Sequence, residues 1–67
     1  MKGFIRLGSN QNINDIVVKN LIVSKTSEKT RYFLKDIYGI CYGIDERHFK
    51  EAVNKLGADV VIVEERA

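Results

Sequence analysis

The sequence predicts a small α+β domain in which one helix packs on one face of a mostly antiparallel sheet. Three observations support this class: a capped amphipathic helix over residues 46–56, a run of β-branched residues after it, and a hairpin pattern before it. The predicted order is β-β-β-β-α-β, with four or five strands in a single domain spanning residues 1–67. A last strand reached through a helical crossover is expected to lie parallel to a strand of the same sheet.

The predicted helix begins after Asp45 and ends before Gly57. Asp45 suits the N-cap, where its carboxylate is expected to accept hydrogen bonds from unpaired amides. Gly57 supplies the left-handed backbone conformation that commonly ends helices. The apolar residues recur at helical spacing and form one stripe: Phe49, Ala52, Val53 and Leu56.

The residues after the helix predict the last strand. This segment is a row of four β-branched residues with apolar side chains on both faces of a strand: Val60, Val61, Ile62 and Val63. One face would lie under the helix, while the other needs a second layer or a partner chain. We therefore expect self-association through this strand or the uncovered sheet face, most simply as a homodimer. A partner protein would meet the same need.

Residues 30–45 predict a hairpin with a defined register. Asp36 and Gly39 occupy the first and last positions of a type I turn, and Gly39 can adopt the positive φ that closes a three-residue loop. In this register residue 33 faces 43, 34 faces 42 and 36 faces 40. The face expected under the helix is Tyr32, Leu34, Ile40, Tyr42 and Ile44.

The first third of the chain carries weaker signals. "KGFIRLG" predicts a first strand with Ile5 and Leu7 on one side, and "VVKNLIVSKT" predicts a second. Between them, "GSNQNIND" has turn chemistry throughout. A short helix capped by Asn12 or Asn14 is the alternative for this segment.

Length and composition limit the classes of function. A chain of 67 residues, 45% hydrophobic and 30% charged, is typical of an ordered domain with a thin core. A lone cysteine excludes an intrachain disulfide, and no spacing indicates a metal or cofactor site. The N-terminal apolar stretch is shorter than a signal-peptide core, and no segment is long enough to span a bilayer. We expect a cytosolic protein without a membrane partner, similar in size and composition to small helper proteins of bacteria and their phages.

Cys41 and His48 are the candidate reactive side chains. A nucleophilic cysteine needs a base and a lowered pKa, and the sequence places no acidic group beside both residues. Two ligands make neither a structural nor a catalytic zinc site. We expect Cys41, which the hairpin register sets opposite Lys35 on the face away from the helix, to have a packing or incidental role. We expect His48 to lie on the helix surface, and the protein to lack enzymatic activity and a small-molecule substrate.

Basic and aromatic residues interleave in "KTRYFLKDIYGICY". Alternation places Arg31, Phe33 and Lys35 on the sheet face away from the helix, where cations can contact phosphates and rings can stack on bases. The candidate partner or nucleic-acid face is Lys29, Arg31, Phe33, Lys35 and Tyr38.

Charge is distributed unevenly along the chain. Residues 1–34 carry six Lys/Arg and two Asp/Glu, a net +4, whereas residues 35–67 carry five and seven, a net −2. This asymmetry favours an anionic partner or attraction between two copies. We expect a protein-binding or regulatory module, with nucleic-acid binding as the alternative.

Overall fold

The computed structural model describes residues 3–8 and 10–65. Its elements, in chain order, are β1 (Phe4–Gly8), β2 (Gln11–Asn14), β3 (Val18–Lys25), β4 (Thr30–Asp36), β5 (Cys41–Gly43), α1 (Glu46–Leu56) and β6 (Val61–Glu65). Short 3-10 helices over Asp15–Val17 and Ala58–Val60 precede β3 and β6. The predicted α+β class is confirmed, as are the bounds of the helix.

The main sheet has four strands in the order β5-β4-β3-β6. The pairs β3–β4 and β4–β5 are antiparallel, whereas β6 runs parallel to β3, with Leu21 opposite Val61 and Lys25 opposite Glu65. The parallel placement of the last strand is therefore confirmed. Its predicted start was one residue too early, because Val60 belongs to the preceding 3-10 helix.

The β1–β2 ribbon differs from the expectation of turn chemistry over "GSNQNIND". Residues 11–14 form a strand that pairs antiparallel with β1, so the structure has one strand more than predicted and two sheets. Pairing with β1 overrides the weak strand propensity of these polar residues. The alternative helix is present in short form, because the Asn14 side chain accepts a hydrogen bond of 3.1 Å from the Ile16 amide at the start of a single 3-10 turn.

The core lies between one face of the main sheet and a layer made of α1 and β1. Tyr32 of the sheet stacks obliquely on Phe49 of the helix, with ring centroids 4.7 Å apart. Ile40, expected under the helix, is 52% exposed because it lies in the hairpin loop beyond the paired strands. The buried apolar residues are Ile5, Leu7, Leu21, Val23, Leu34, Ile44, Phe49 and Ala52.

The hairpin register is confirmed. Phe33 lies opposite Gly43 and Leu34 opposite Tyr42. Gly39 has φ 88°, and its amide donates to the Asp36 carbonyl at 3.1 Å, which closes the loop. This hairpin places the odd-numbered residues of β4 on the face opposite the core.

Asp45 occupies the predicted N-cap position of α1, but its predicted hydrogen bonding is wrong. Its backbone is extended, as a cap requires, while its side chain accepts no capping hydrogen bond from the helix. Oδ2 of Asp45 instead lies 3.4 Å from Nδ1 of His48. The entry of the chain into the helix is held by the Asp45 amide, which donates to the Leu7 carbonyl at 3.2 Å.

Candidate functional site

The face of the main sheet opposite α1 is open. Strand pairing aligns Phe33, Ile22 and Ile62 across β4, β3 and β6, and we call these three residues the apolar row. Phe33 and Ile22 are half-buried, and Ile62 is 42% exposed. Their neighbours Leu21 and Leu34, which point to the other face, are fully buried. The helix and the ribbon therefore cover one side of this sheet and leave a mainly aliphatic strip on the other.

Charged and polar residues border the apolar row on both sides. On one side, Arg31, Ser24 and Glu64 align across the same three strands. On the other side, Lys35 pairs with Cys41 of β5 and with Asn20 of β3. The open face therefore combines an apolar centre with a rim of two cations and one carboxylate, the arrangement that is typical of protein interaction sites.

The structure brings together three of the five residues predicted for a partner face. Arg31, Phe33 and Lys35 share the open face, as alternation along β4 predicted. Lys29 lies in the β3–β4 turn and borders a shallow groove that Arg31 and Phe33 also line. Tyr38 is 74% exposed in the β4–β5 loop. Because β4 has seven residues, this loop lies about 20 Å from the β3–β4 turn at the other end of the strand. Tyr38 therefore does not extend the same surface.

Asp36 stabilises the loop that carries Tyr38. Its Oδ1 accepts hydrogen bonds of 2.9 Å from the amides of Tyr38 and Ile40, and its Oδ2 accepts one of 2.9 Å from the Tyr42 hydroxyl. Burial opposes ionisation of this carboxyl group, but the hydrogen bonds outweigh burial, so the pKa of Asp36 lies below its ordinary value of 3.8. The same hydrogen bond, with burial and the nearby negative charge, raises the pKa of Tyr42 above 10.0.

Cys41 lies on the predicted face, whereas His48 differs from expectation. Cys41 pairs with Lys35 on the open face, as the hairpin register predicts, and it is exposed because β5 is an edge strand. His48, expected on the helix surface, is only 8% exposed, because β1 packs beside the first turn of α1 and gives the helix a second covered side. The two side chains lie on opposite sides of the sheet, so they do not form a nucleophile–base pair.

The sequence interpretation missed the contribution of β3 to this surface. Ile22 and Ser24 lie on the open face because they alternate with the buried residues Leu21 and Val23. The period of a strand places Ile22 and Ser24 on one face, but the apolar run "LIV" does not show which face is buried. The neighbours Ile62 and Glu64 required knowledge of the pairing between β3 and β6, whose residues are 40 positions apart in the chain.

In residues 3–8 and 10–65, no three His, Cys, Asp or Glu side chains form a cluster able to hold a metal ion. Within the same ranges, no helix has both the length and the apolar character needed to cross a membrane. No family model, curated protein or solved structure matches the chain. Function is therefore inferred from the geometry of the chain itself.

Proposed function

We propose that this chain is a non-catalytic, regulatory protein-binding module of the cytosol that docks to a protein through its open sheet face. The observation that carries the proposal is the apolar row, which is exposed on a sheet whose other face packs against α1 and β1. Burying Phe33, Ile22 and Ile62 against a protein surface would remove apolar area from water, at roughly 25 cal/mol per Å². The Arg31 and Lys35 rim would orient the partner.

The shape and chemistry of the row favour a protein over single-stranded nucleic acid. Stacking platforms for bases present successive aromatic rings, each of which holds one base. In the described chain, Phe33 is the one aromatic residue on the open face, while Tyr32 and Tyr42 point toward the core. Arg31 and Lys35 would attract phosphates, so nucleic-acid binding is kept as a distinct outcome of the test below.

The placement of the candidate reactive groups supports a role without catalysis. Cys41 is exposed to solvent on the open face, and His48 is buried against β1 on the other side of the sheet. General acid–base or nucleophilic chemistry needs such groups within hydrogen-bond reach of each other or of a shared substrate. A module with this arrangement acts by occupying a surface of its partner.

Site-specific photocrosslinking tests the proposal in the native lysate. A benzophenone amino acid replaces Phe33 in one version of the chain and Ile16 in a matched control, since Ile16 is 67% exposed and lies outside the open face. We expect position 33 to form an adduct with a polypeptide that survives nuclease treatment, and position 16 to form little or none. A nuclease-sensitive adduct would favour nucleic-acid binding. Equal labelling at both positions, or none, would contradict the use of this face.

A further inference from the structure

We infer that the open face binds a second copy of this chain, face to face, about a two-fold axis that runs parallel to the strands above β3. This inference rests on the proposed function and names its partner. The open face is complementary to itself under that rotation. The order of the strands and the register of their pairing define this complementarity.

The rotation reverses the lateral order of the strands and keeps each residue at its level along the strand. With the axis above β3, β4 of one copy lies over β6 of the other. Because Phe33, Ile22 and Ile62 are at one level, Phe33 meets Ile62 of the second copy, and Ile22 meets its own counterpart. Sheets that pack in this way lie about 10 Å apart with strands aligned within about 30°. The apolar row would thus cover itself.

The charges match under the same rotation. Arg31 and Glu64 lie on either side of Ser24 at one level of the sheet, so Arg31 of each copy faces Glu64 of the other. Two Arg–Glu pairs would form at symmetric positions, while an axis above any other strand would not bring these charges together. This complementarity distinguishes a second copy from an unrelated protein as the occupant.

The size of the face sets the expected strength of the dimer. Four strands spaced about 4.8 Å apart and about 20 Å long form a flat area of roughly 400 Å² per copy. This is about half of what a standard stable interface buries on each partner. We therefore expect a reversible dimer with a dissociation constant in roughly the micromolar range.

Charge reversal at the matched positions tests this geometry in the purified protein. Sedimentation equilibrium between about 5 and 500 μM should show a monomer–dimer equilibrium for the wild type. Arg31→Glu places two carboxylates opposite each other, and Glu64→Arg places two cations opposite each other. Each variant should therefore raise the dissociation constant at least about tenfold. An equimolar mixture of the two variants sets a cation against a carboxylate at both symmetric contacts of the mixed dimer, and should restore dimerisation.

Two residues outside the open face provide matched controls. Arg47→Glu makes the same change as Arg31→Glu, but at an exposed position of α1 on the other side of the sheet, and should leave the dimer intact. Glu65→Arg matches Glu64→Arg one residue further along β6, on the opposite side of the strand, and should do the same. Far-UV circular dichroism of each variant verifies the fold. A monomer at all concentrations, or a dimer that survives both reversals at positions 31 and 64, would overturn the inference.

The lone cysteine measures the geometry of the dimer directly. A spin label on Cys41 sits on β5, two strands from the proposed axis. The spacings between strands and between packed sheets set the distance between the two Cys41 Cα atoms. This distance is about 22 Å for face-to-face packing and about 34 Å for edge-to-edge pairing of β6 with β6. Dipolar electron paramagnetic resonance distinguishes the two distances. A distance near the longer value would overturn face-to-face pairing.

The outcomes separate this inference from the proposed function. A purified chain that stays monomeric, together with a nuclease-resistant adduct at position 33 to a different polypeptide, would overturn the inference and leave the protein-binding proposal standing. Absence of both the dimer and the adduct would overturn both. A dimer with the expected charge dependence and an adduct of twice the chain mass would support both.

Discussion

Replacing Phe49 by alanine tests the packing of α1 against the sheet. Phe49 is 5% exposed and its ring lies 4.7 Å from that of Tyr32. Truncating a buried phenylalanine costs about 3–5 kcal/mol of unfolding free energy. A chain of 67 residues has a total of roughly 3–10 kcal/mol at 0.05–0.15 kcal/mol per residue. The substitution therefore removes a large share of the stability of the fold.

Urea denaturation followed by circular dichroism measures the effect. With a denaturant slope of about 1 kcal/mol per M for a small domain, the midpoint should fall by about 3 M or more, or the variant should be unfolded in water. Measurements at about 5 μM protein limit the contribution of self-association. Phe49→Leu provides the control, because it keeps an apolar side chain and should lose less than about 1.5 kcal/mol. A midpoint for Phe49→Ala within about 0.5 M of wild type, at an unchanged slope, would show that the ring does not anchor the helix.

Three further predictions concern local features of the loop and the helix cap. The pKa of Asp36 is lower in the folded chain than its ordinary value of 3.8, so ionisation of this carboxyl group stabilises the fold above that pH. This stability is lost as the pH falls through the folded pKa. Asp36→Asn should therefore lower the urea midpoint at pH 7, and the midpoint of the variant should fall less than that of the wild type between pH 5 and pH 2. Gly39→Ala should lower the free energy of unfolding by about 1 kcal/mol, because Gly39 has φ 88°. Gly43→Ala should lower it less, because there is open space around the added methyl group. Equal thermal midpoints for the two variants would contradict this reasoning. Asp45→Ala should lower the free energy of unfolding by no more than about 0.5 kcal/mol, because the Asp45 side chain makes no capping hydrogen bond. A decrease of about 2 kcal/mol, measured by urea denaturation, would show that this side chain does cap the helix.

The helix and the hairpin could be predicted from the sequence because their signals are local. Asp45, Gly57 and the stripe between them define the bounds of α1 within a dozen residues, and the structure reproduces both ends. Asp36 and Gly39 likewise define a turn within four residues, and the register of β4 and β5 follows from it. In both cases the backbone conformation depends on neighbours close in the chain.

The strand β2 and the environments of Cys41 and His48 could not be predicted in this way. Residues 11–14 have low strand propensity and are ordered by pairing with β1. His48 lies on the side of the helix that would face solvent if the sheet were its only neighbour, and β1 covers it. Cys41 is exposed because β5 is an edge strand, which depends on the order of strands in the sheet.

The sequence by itself determined the α+β class, the helix, the hairpin register and the alternation that puts Arg31, Phe33 and Lys35 on one face. Only the tertiary structure decided which residues complete that face. Ile62 and Glu64 join Ile22 and Ser24 through the parallel pairing of β6 with β3, between residues 40 positions apart. The physical reason is range: caps, turns and alternation act over a few residues, whereas strand order and the covering of a sheet face depend on burial shared among distant segments.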